Sequence, residues 1–232
     1  DHQSWIVSPA DVLDIIPKLC QIYDEPFADS SQLPTILVSK LASNEVTVAL
    51  SGDGGDELFG GYDRYGYLER LQRVNNSVPR WVRHGAASAI TALSPAFWDR
   101  LGKGPIGRLG RERWRHRTGE RAAKFSRILV AETLEETYKA TVAVTHRSSN
   151  LLLGLDDGYD PVGSWFATGG ARSAFEAAML TDTTTYLPDD LLTKVDRASM
   201  AVSLEVRVPF LDPEVFRFAW SLSRNHRIRG GQ

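Results

Sequence analysis

Apolar residues recur along this chain at two different spacings, and the spacing changes near residue 63. Behind Ser8-Pro9-Ala10-Asp11, an N-cap with Pro at the first helical position, Val12, Ile15, Ile16, Leu19 and Tyr23 recur every three or four residues. That spacing predicts an amphipathic helix over 9–22, stopped by Pro26. A second helix is predicted from about Pro34, with Ile36, Leu37 and Leu41 on one face, to about Asn44. Val46-Thr47-Val48-Ala49-Leu50 then runs uncharged and rich in β-branched residues, with no polar alternation, as a strand buried on both faces of a parallel sheet does. Beyond residue 63 no further strand is predicted. Segments 78–93, 120–145, 172–187 and 189–203 carry helical spacing broken by Pro79, Pro95, Gly104-Pro105, Asp160-Pro161 and Pro188. Asp212-Pro213-Glu214 opens a last helix. The expected fold is mainly α with a small α/β remnant.

Composition narrows the function classes. The 232 residues carry 27 Lys plus Arg against 29 Asp plus Glu, a formal charge of −2, which argues against a general nucleic-acid binder. Cys20 is the only cysteine, which leaves no intrachain disulfide and no thiolate-rich metal site. No run approaches the roughly 18 apolar residues that span a bilayer, and the start lacks a signal-peptide pattern, so a cytoplasmic protein without membrane partners is expected. The chain begins at Asp1 and stops at Arg229-Gly230-Gly231-Gln232, which leads us to expect a piece of something larger.

The richest chemistry follows the predicted strand. Five glycines fall within ten residues of Ser51-Gly52-Asp53-Gly54-Gly55-Asp56-Glu57-Leu58-Phe59-Gly60-Gly61, a cost in chain entropy that a positive φ or a close ligand would explain. Backbone N–H groups in such a turn can hold an anion, and carboxylates beside them can hold Mg²⁺ jointly with phosphate oxygens. The bland alternative is a tight strand–helix connection with solvated acids. The commoner motifs fail here. No Lys completes a Walker A loop, Glu57 stands where the dinucleotide fingerprint needs Gly, and Ala49 and Asp53 stand where a nucleophile elbow needs Gly.

A second constellation spans residues 186–213. On a helix, Leu191, Leu192, Val195, Ser199 and Val202 form an apolar face, and Asp190, Lys194 and Arg197 one charged stripe. That stripe is either an exposed row of helical ion pairs or a cationic face toward a polyphosphate.

Taken together, these segments resemble the asparagine synthetase family. The glycine turn through Tyr62 looks like its second nucleotide-site motif. Leu187-Pro188-Asp189-Asp190 through Asp196-Arg197-Ala198-Ser199-Met200 and Leu204-Glu205-Val206-Arg207-Val208-Pro209-Phe210-Leu211-Asp212 are similar to its later signature, and Tyr23-Asp24-Glu25-Pro26-Phe27-Ala28-Asp29-Ser30-Ser31 also matches. The resemblance implies a partial synthetase domain of the PP-loop ATP-pyrophosphatase (adenine nucleotide alpha hydrolase-like) type. Residues 1–70 would be the remnant of its nucleotide-binding α/β part and 71–232 its mainly helical part. It implies ATP and Mg²⁺, a small carboxylate such as aspartate activated as an acyl-adenylate, and ammonia from a glutaminase domain not in this sequence; a homodimer is left open. By motif match, Ser51 and Gly52 would lie against the nucleotide and Asp56 would help place Mg²⁺ and pyrophosphate. Asp53, where many members have Glu, would serve the acyl-adenylate chemistry, and Asp190 and Lys194 would face the same cavity. Glu205 and Arg207 would be an ion-paired corner.

Two family features are not in the sequence: the first phosphate loop, Ser-Gly-Gly-x-Asp-Ser, and the lysine that follows a Gly-rich stretch. Without them the chain alone is expected to be inactive. The competing readings are a relative that amidates or cyclises another carboxylate, as β-lactam synthetases do, and a non-catalytic helical module. The basic run from Lys103 to Arg127 is read as a solvated helix rather than a nucleic-acid site, and Asp156-Asp157-Gly158 as a solvated turn.

Overall fold

The structure, a computed structural model, describes residues 6–103, 118–143 and 173–228, together with 2, 4, 162, 163 and 166. Residues 104–117 of the basic run from Lys103 to Arg127, the Asp156-Asp157-Gly158 turn and Gly230-Gly231-Gln232 lie outside the described residues.

In chain order the described elements are α1 (Pro9–Leu13), a 3₁₀ turn (Ile16–Lys18), α2 (Leu19–Ile22), α3 (Gln32–Ser43), β1 (Val48–Leu50), α4 (Gly55–Phe59), α5 (Asp63–Ser77), α6 (Arg80–Thr91), α7 (Pro95–Lys103), α8 (Thr118–Val130), α9 (Leu134–Val142) and α10 (Ala174–Thr184). A π-helical turn (Leu187–Leu192), α11 (Thr193–Met200), β2 (Glu205–Arg207), a 3₁₀ turn (Pro209–Leu211), α12 (Pro213–Ser221) and α13 (Arg224–Arg227) follow. The described residues are mostly helical, with one small parallel sheet among them. The chain divides into two compact units, residues 1–61 with 181–232 and residues 62–180. This partition differs from a division near residue 70, because the returning segment supplies β2 as the partner of β1.

Several elements form where the local chemistry directs. Ser8 caps α1: its hydroxyl accepts from the Asp11 N–H, and the Asp11 carboxylate accepts from the Ser8 N–H at 2.8 Å. Thr133 caps α9 by accepting from the Glu136 N–H, which splits the predicted 120–145 segment into α8 and α9. α7 begins on Pro95, a position that needs no N–H.

Three expectations need correction. The helix over 9–22 is broken into α1, a 3₁₀ turn and α2, because Pro17 has no N–H to donate and its ring excludes the carbonyl one turn back. β1 is not buried on both faces: Val48 is 38% and Leu50 72% exposed. Among the described residues its one partner is β2, in parallel register Val48–Glu205, Ala49–Val206 and Leu50–Arg207, so its outer edge is open. β2 is itself a strand beyond residue 63. Its three residues, two of them charged, are too short and too polar to register as a period-two run.

In the first unit α11 packs on α3, and Ile15, Tyr23, Ile36, Leu37 and Ala198 form the core. In the second, α6, α7 and α9 pack on α8, and α9 on α5. Tyr65 and Phe175, both fully buried, meet edge to face at 5.7 Å.

Candidate functional site

Both strands end on the same side of their sheet, and the two turns that leave them pack together. Ser51 N–H donates to Arg207 O at 2.9 Å, closing the ladder, and Ser51 Oγ donates to Asp53 Oδ2 at 2.7 Å. Gly54 has φ +82°, a conformation that favours glycine, and a Cβ there would stand 3.3 Å from Leu211 and 3.8 Å from Leu187, so the two leucines pack closely over it. Phe210 covers Gly55 and meets Phe59 edge to face at 5.8 Å. These contacts join the glycine turn to both ends of the later signature, Leu187 and Phe210-Leu211. Gly52 is exposed with open space where its Cβ would be.

The neighbouring acids of the turn face opposite ways. Glu57 is fully buried, whereas Asp56 is exposed. A Cβ on Gly61 would fall 1.9 Å from Asp56 Oδ1, so the carboxylate occupies the space a side chain would take.

The charged stripe on the signature helix is split, which corrects the sequence expectation. Lys194 is buried beside Ala198 and Ser199, while Arg197 is exposed and pairs with Asp24. Residues 187–192 take a π-helical turn that carries the helix across Pro188, and at its end the Thr193 hydroxyl donates to Pro188 O at 2.9 Å. Burial of Lys194 is offset by an anion, Asp29, whose Oδ2 accepts from its Nζ at 2.7 Å. Ser31 Oγ also accepts from Nζ, at 2.8 Å, and donates to Asp29 Oδ2 at 2.6 Å. The Ser31 N–H donates to Asp29 Oδ1 at 2.8 Å, and the Tyr23 hydroxyl donates to Lys194 O at 3.2 Å. Glu205 and Arg207 are ion-paired at 2.7 Å, as anticipated, but on β2 and largely in solvent, where a pair contributes little.

Asp29, Ser31 and Tyr23 were visible only as parts of a motif. The signal that would have found them is the need of a buried lysine for a counter-charge. Their electrostatics are coupled. Burial works against the Asp29 carboxylate, but hydrogen bonds from Lys194 and Ser31, with the Lys194 charge, hold its pKa below the usual value. Asp190 moves the other way, raised by burial and by Asp29, against the Lys194 charge and a Tyr186 hydrogen bond. Burial, with the charges of Asp29 and Asp190, pushes the Tyr23 hydroxyl up to about 12.

The depressed Asp29 carboxyl contributes stability that is complete above its unfolded pKa of about 4 and is lost as pH falls through the lower folded value. Thermal melts of the wild type and Asp29→Asn should therefore differ most near neutral pH and converge in acid. A difference that grows in acid would contradict this linkage.

Among the described residues no group of three or more His, Cys, Asp or Glu could hold a metal ion. Asp56, a single exposed carboxylate, fits the way Mg²⁺ binds when phosphate oxygens and water complete its shell. No described helix is long and apolar enough to cross a membrane.

Comparison with known proteins gives a consistent result. The family model described as asparagine synthase matches residues 1–232. Asparagine synthetase (glutamine-hydrolyzing) 1 of Bacillus subtilis is 31% identical over 234 residues, covering 100% of this chain and 33% of that protein. A Mycobacterium tuberculosis protein named "Putative asparagine synthetase (glutamine-hydrolyzing)" is 32% identical over 232 residues, 98% of this chain and 32% of its own length. The chain thus spans about a third of the length of these relatives. No solved structure matches it significantly. With the match running from its first residue to its last, the chain belongs to the asparagine synthase family.

Proposed function

We propose that the chain is part of the synthetase domain, of the PP-loop type, of a cytoplasmic glutamine-dependent amidotransferase that makes asparagine from aspartate. In this reading a carboxylate oxygen of the substrate attacks the α-phosphorus of ATP and pyrophosphate leaves. Ammonia from glutamine then attacks the acyl carbon and AMP leaves. A carboxylate is a poor electrophile and AMP a good leaving group, so the protein's task is positioning and charge neutralisation.

The observation that carries the reading is the packing of Leu187 and Leu211 against Gly54, which joins two motifs far apart in sequence at the carboxyl end of a parallel strand pair. Open α/β sheets bind ligands at that end. Ser51 and Gly52 would border the nucleotide, and Asp53, tethered by Ser51, would orient the acyl-adenylate. Asp190 would present a half-buried carboxyl, and Lys194 a cation, to the same ligand. Asp56 would hold Mg²⁺, which when bound neutralises the charge developing on pyrophosphate.

The reaction is tested by ATP–pyrophosphate exchange with aspartate and Mg²⁺. The full-length protein should exchange in an aspartate-dependent way. The 232-residue chain, whose sequence lacks the Ser-Gly-Gly-x-Asp-Ser loop, should stay at background. Exchange that ignores aspartate in the full-length protein would overturn the substrate assignment.

A further inference from the structure

We infer that Asp29 is a positioning residue of this site, fixing the Lys194 ammonium so that one donor remains for an anionic oxygen of the ligand. The inference rests on the reading of Lys194 as a group that meets the polyphosphate.

An ammonium on a four-carbon stem has three donors and rotates freely unless it is held. Here both ends of the lysine are held. Its carbonyl accepts from the Tyr23 hydroxyl, and its Nζ donates to Asp29 Oδ2 and Ser31 Oγ, which accounts for two donors. The holder is rigid in turn. Both Asp29 oxygens accept from Ser31, one from its N–H and one from its hydroxyl, and Gln32 Nε2 donates to Phe27 O at 2.9 Å across the base of the same loop. The Asp29 charge also raises the proton affinity of Asp190.

Stability alone is a weak reason for this arrangement. A nearly buried ion pair loses most of its Coulomb gain to desolvation, and a packed apolar pair serves as well. The lysine side chain is 10% exposed and the aspartate 22%, so the pair carries that cost. What an apolar pair does not supply is a cation held in one direction beside a half-buried carboxyl.

The test is the KM for inorganic pyrophosphate in ATP–pyrophosphate exchange by the full-length protein, beside kcat and a thermal melt. Lys194→Met should raise that KM about tenfold or more, the loss of one charge-assisted hydrogen bond. Asp29→Asn, which keeps the shape but frees the ammonium, should raise it by a similar factor with a smaller change in kcat. Because Asp29 acts through Lys194, the double variant should be no worse in KM than Lys194→Met alone. The double variant also leaves no uncompensated charge, so it stays informative if a single variant folds poorly. Ser31→Ala, a milder loosening, should give a smaller rise in the same direction. If Asp29→Asn lowers only the melting temperature, or if its effect on KM adds to that of Lys194→Met, the positioning role is wrong while the site reading stands. If Lys194→Met leaves KM unchanged, the site reading itself fails.

Discussion

Asp56→Asn in the full-length protein is expected to melt like the wild type and to release pyrophosphate at about a hundredth to a thousandth of its rate. Asn is nearly isosteric and retains one acceptor oxygen, but it lacks the negative charge a hard cation requires. Removing a fixed group aimed at developing charge costs about 3–4 kcal/mol of transition-state stabilisation. The exposure of Asp56 is why the fold should tolerate the change. Position can be separated from charge by Gly61→Ala, whose new Cβ would claim the space now held by Asp56 Oδ1. The carboxylate is the end of a flexible side chain and can swing aside, so this variant should fold and lose activity less severely. Glu45→Gln, at another exposed carboxylate, is the matched control and should change little. If all three variants release pyrophosphate equally, the glycine turn is only a strand–helix connection.

The largest effect on stability is expected at Arg83, in the unit formed by residues 62–180. Its side chain is almost wholly buried, and its guanidinium donates to Val78 O, to Leu129 O at 2.7 Å and to Ala131 O at 2.9 Å. The last two carbonyls belong to the C-terminal end of α8, where intrahelical donors run out. Asn75 Nδ2 also donates to Ala131 O, which leaves Leu129 and Val78 most dependent on the arginine. Arg83→Ala strands buried carbonyls and opens space, and should cost about 3 kcal/mol in a urea titration. Arg83→Lys should recover only part, since a single ammonium cannot serve three carbonyls set for a planar fork. Three residues away, Arg80 pairs with Glu132 in solvent, and Arg80→Ala should cost less than about 1 kcal/mol. Equal losses at the two positions would mean that the buried guanidinium is not the C-terminal cap of α8.

How far the sequence carries depends on the range over which each feature is decided. Ser8-Pro9 starts a helix because cap and proline act within one turn, and the start is found where it is predicted. Pro17, read by the same local rule, would have divided the 9–22 segment; the apolar periodicity masked it. The strand after Glu45 was legible from its β-branched run, but its burial was not, because burial depends on which neighbours cover it. β2 was illegible for a related reason: three residues carry no period, and what makes them a strand is the register with β1.

Family membership is legible along the chain, because long motifs keep their order and spacing from its first residue to its last, and the same motifs nominate the candidate site residues. The helical character of the chain is legible too, because caps, prolines and a 3.6-residue period act over a few residues. Which charge meets which becomes legible only once the chain is folded. Lys194 and Arg197 stand three residues apart on one helix, yet one is buried on Asp29 and the other exposed on Asp24. That sorting follows from which side of α11 packs on α3 and from a loop more than 150 residues earlier in the chain, a separation over which no local pattern can express a Coulomb contact.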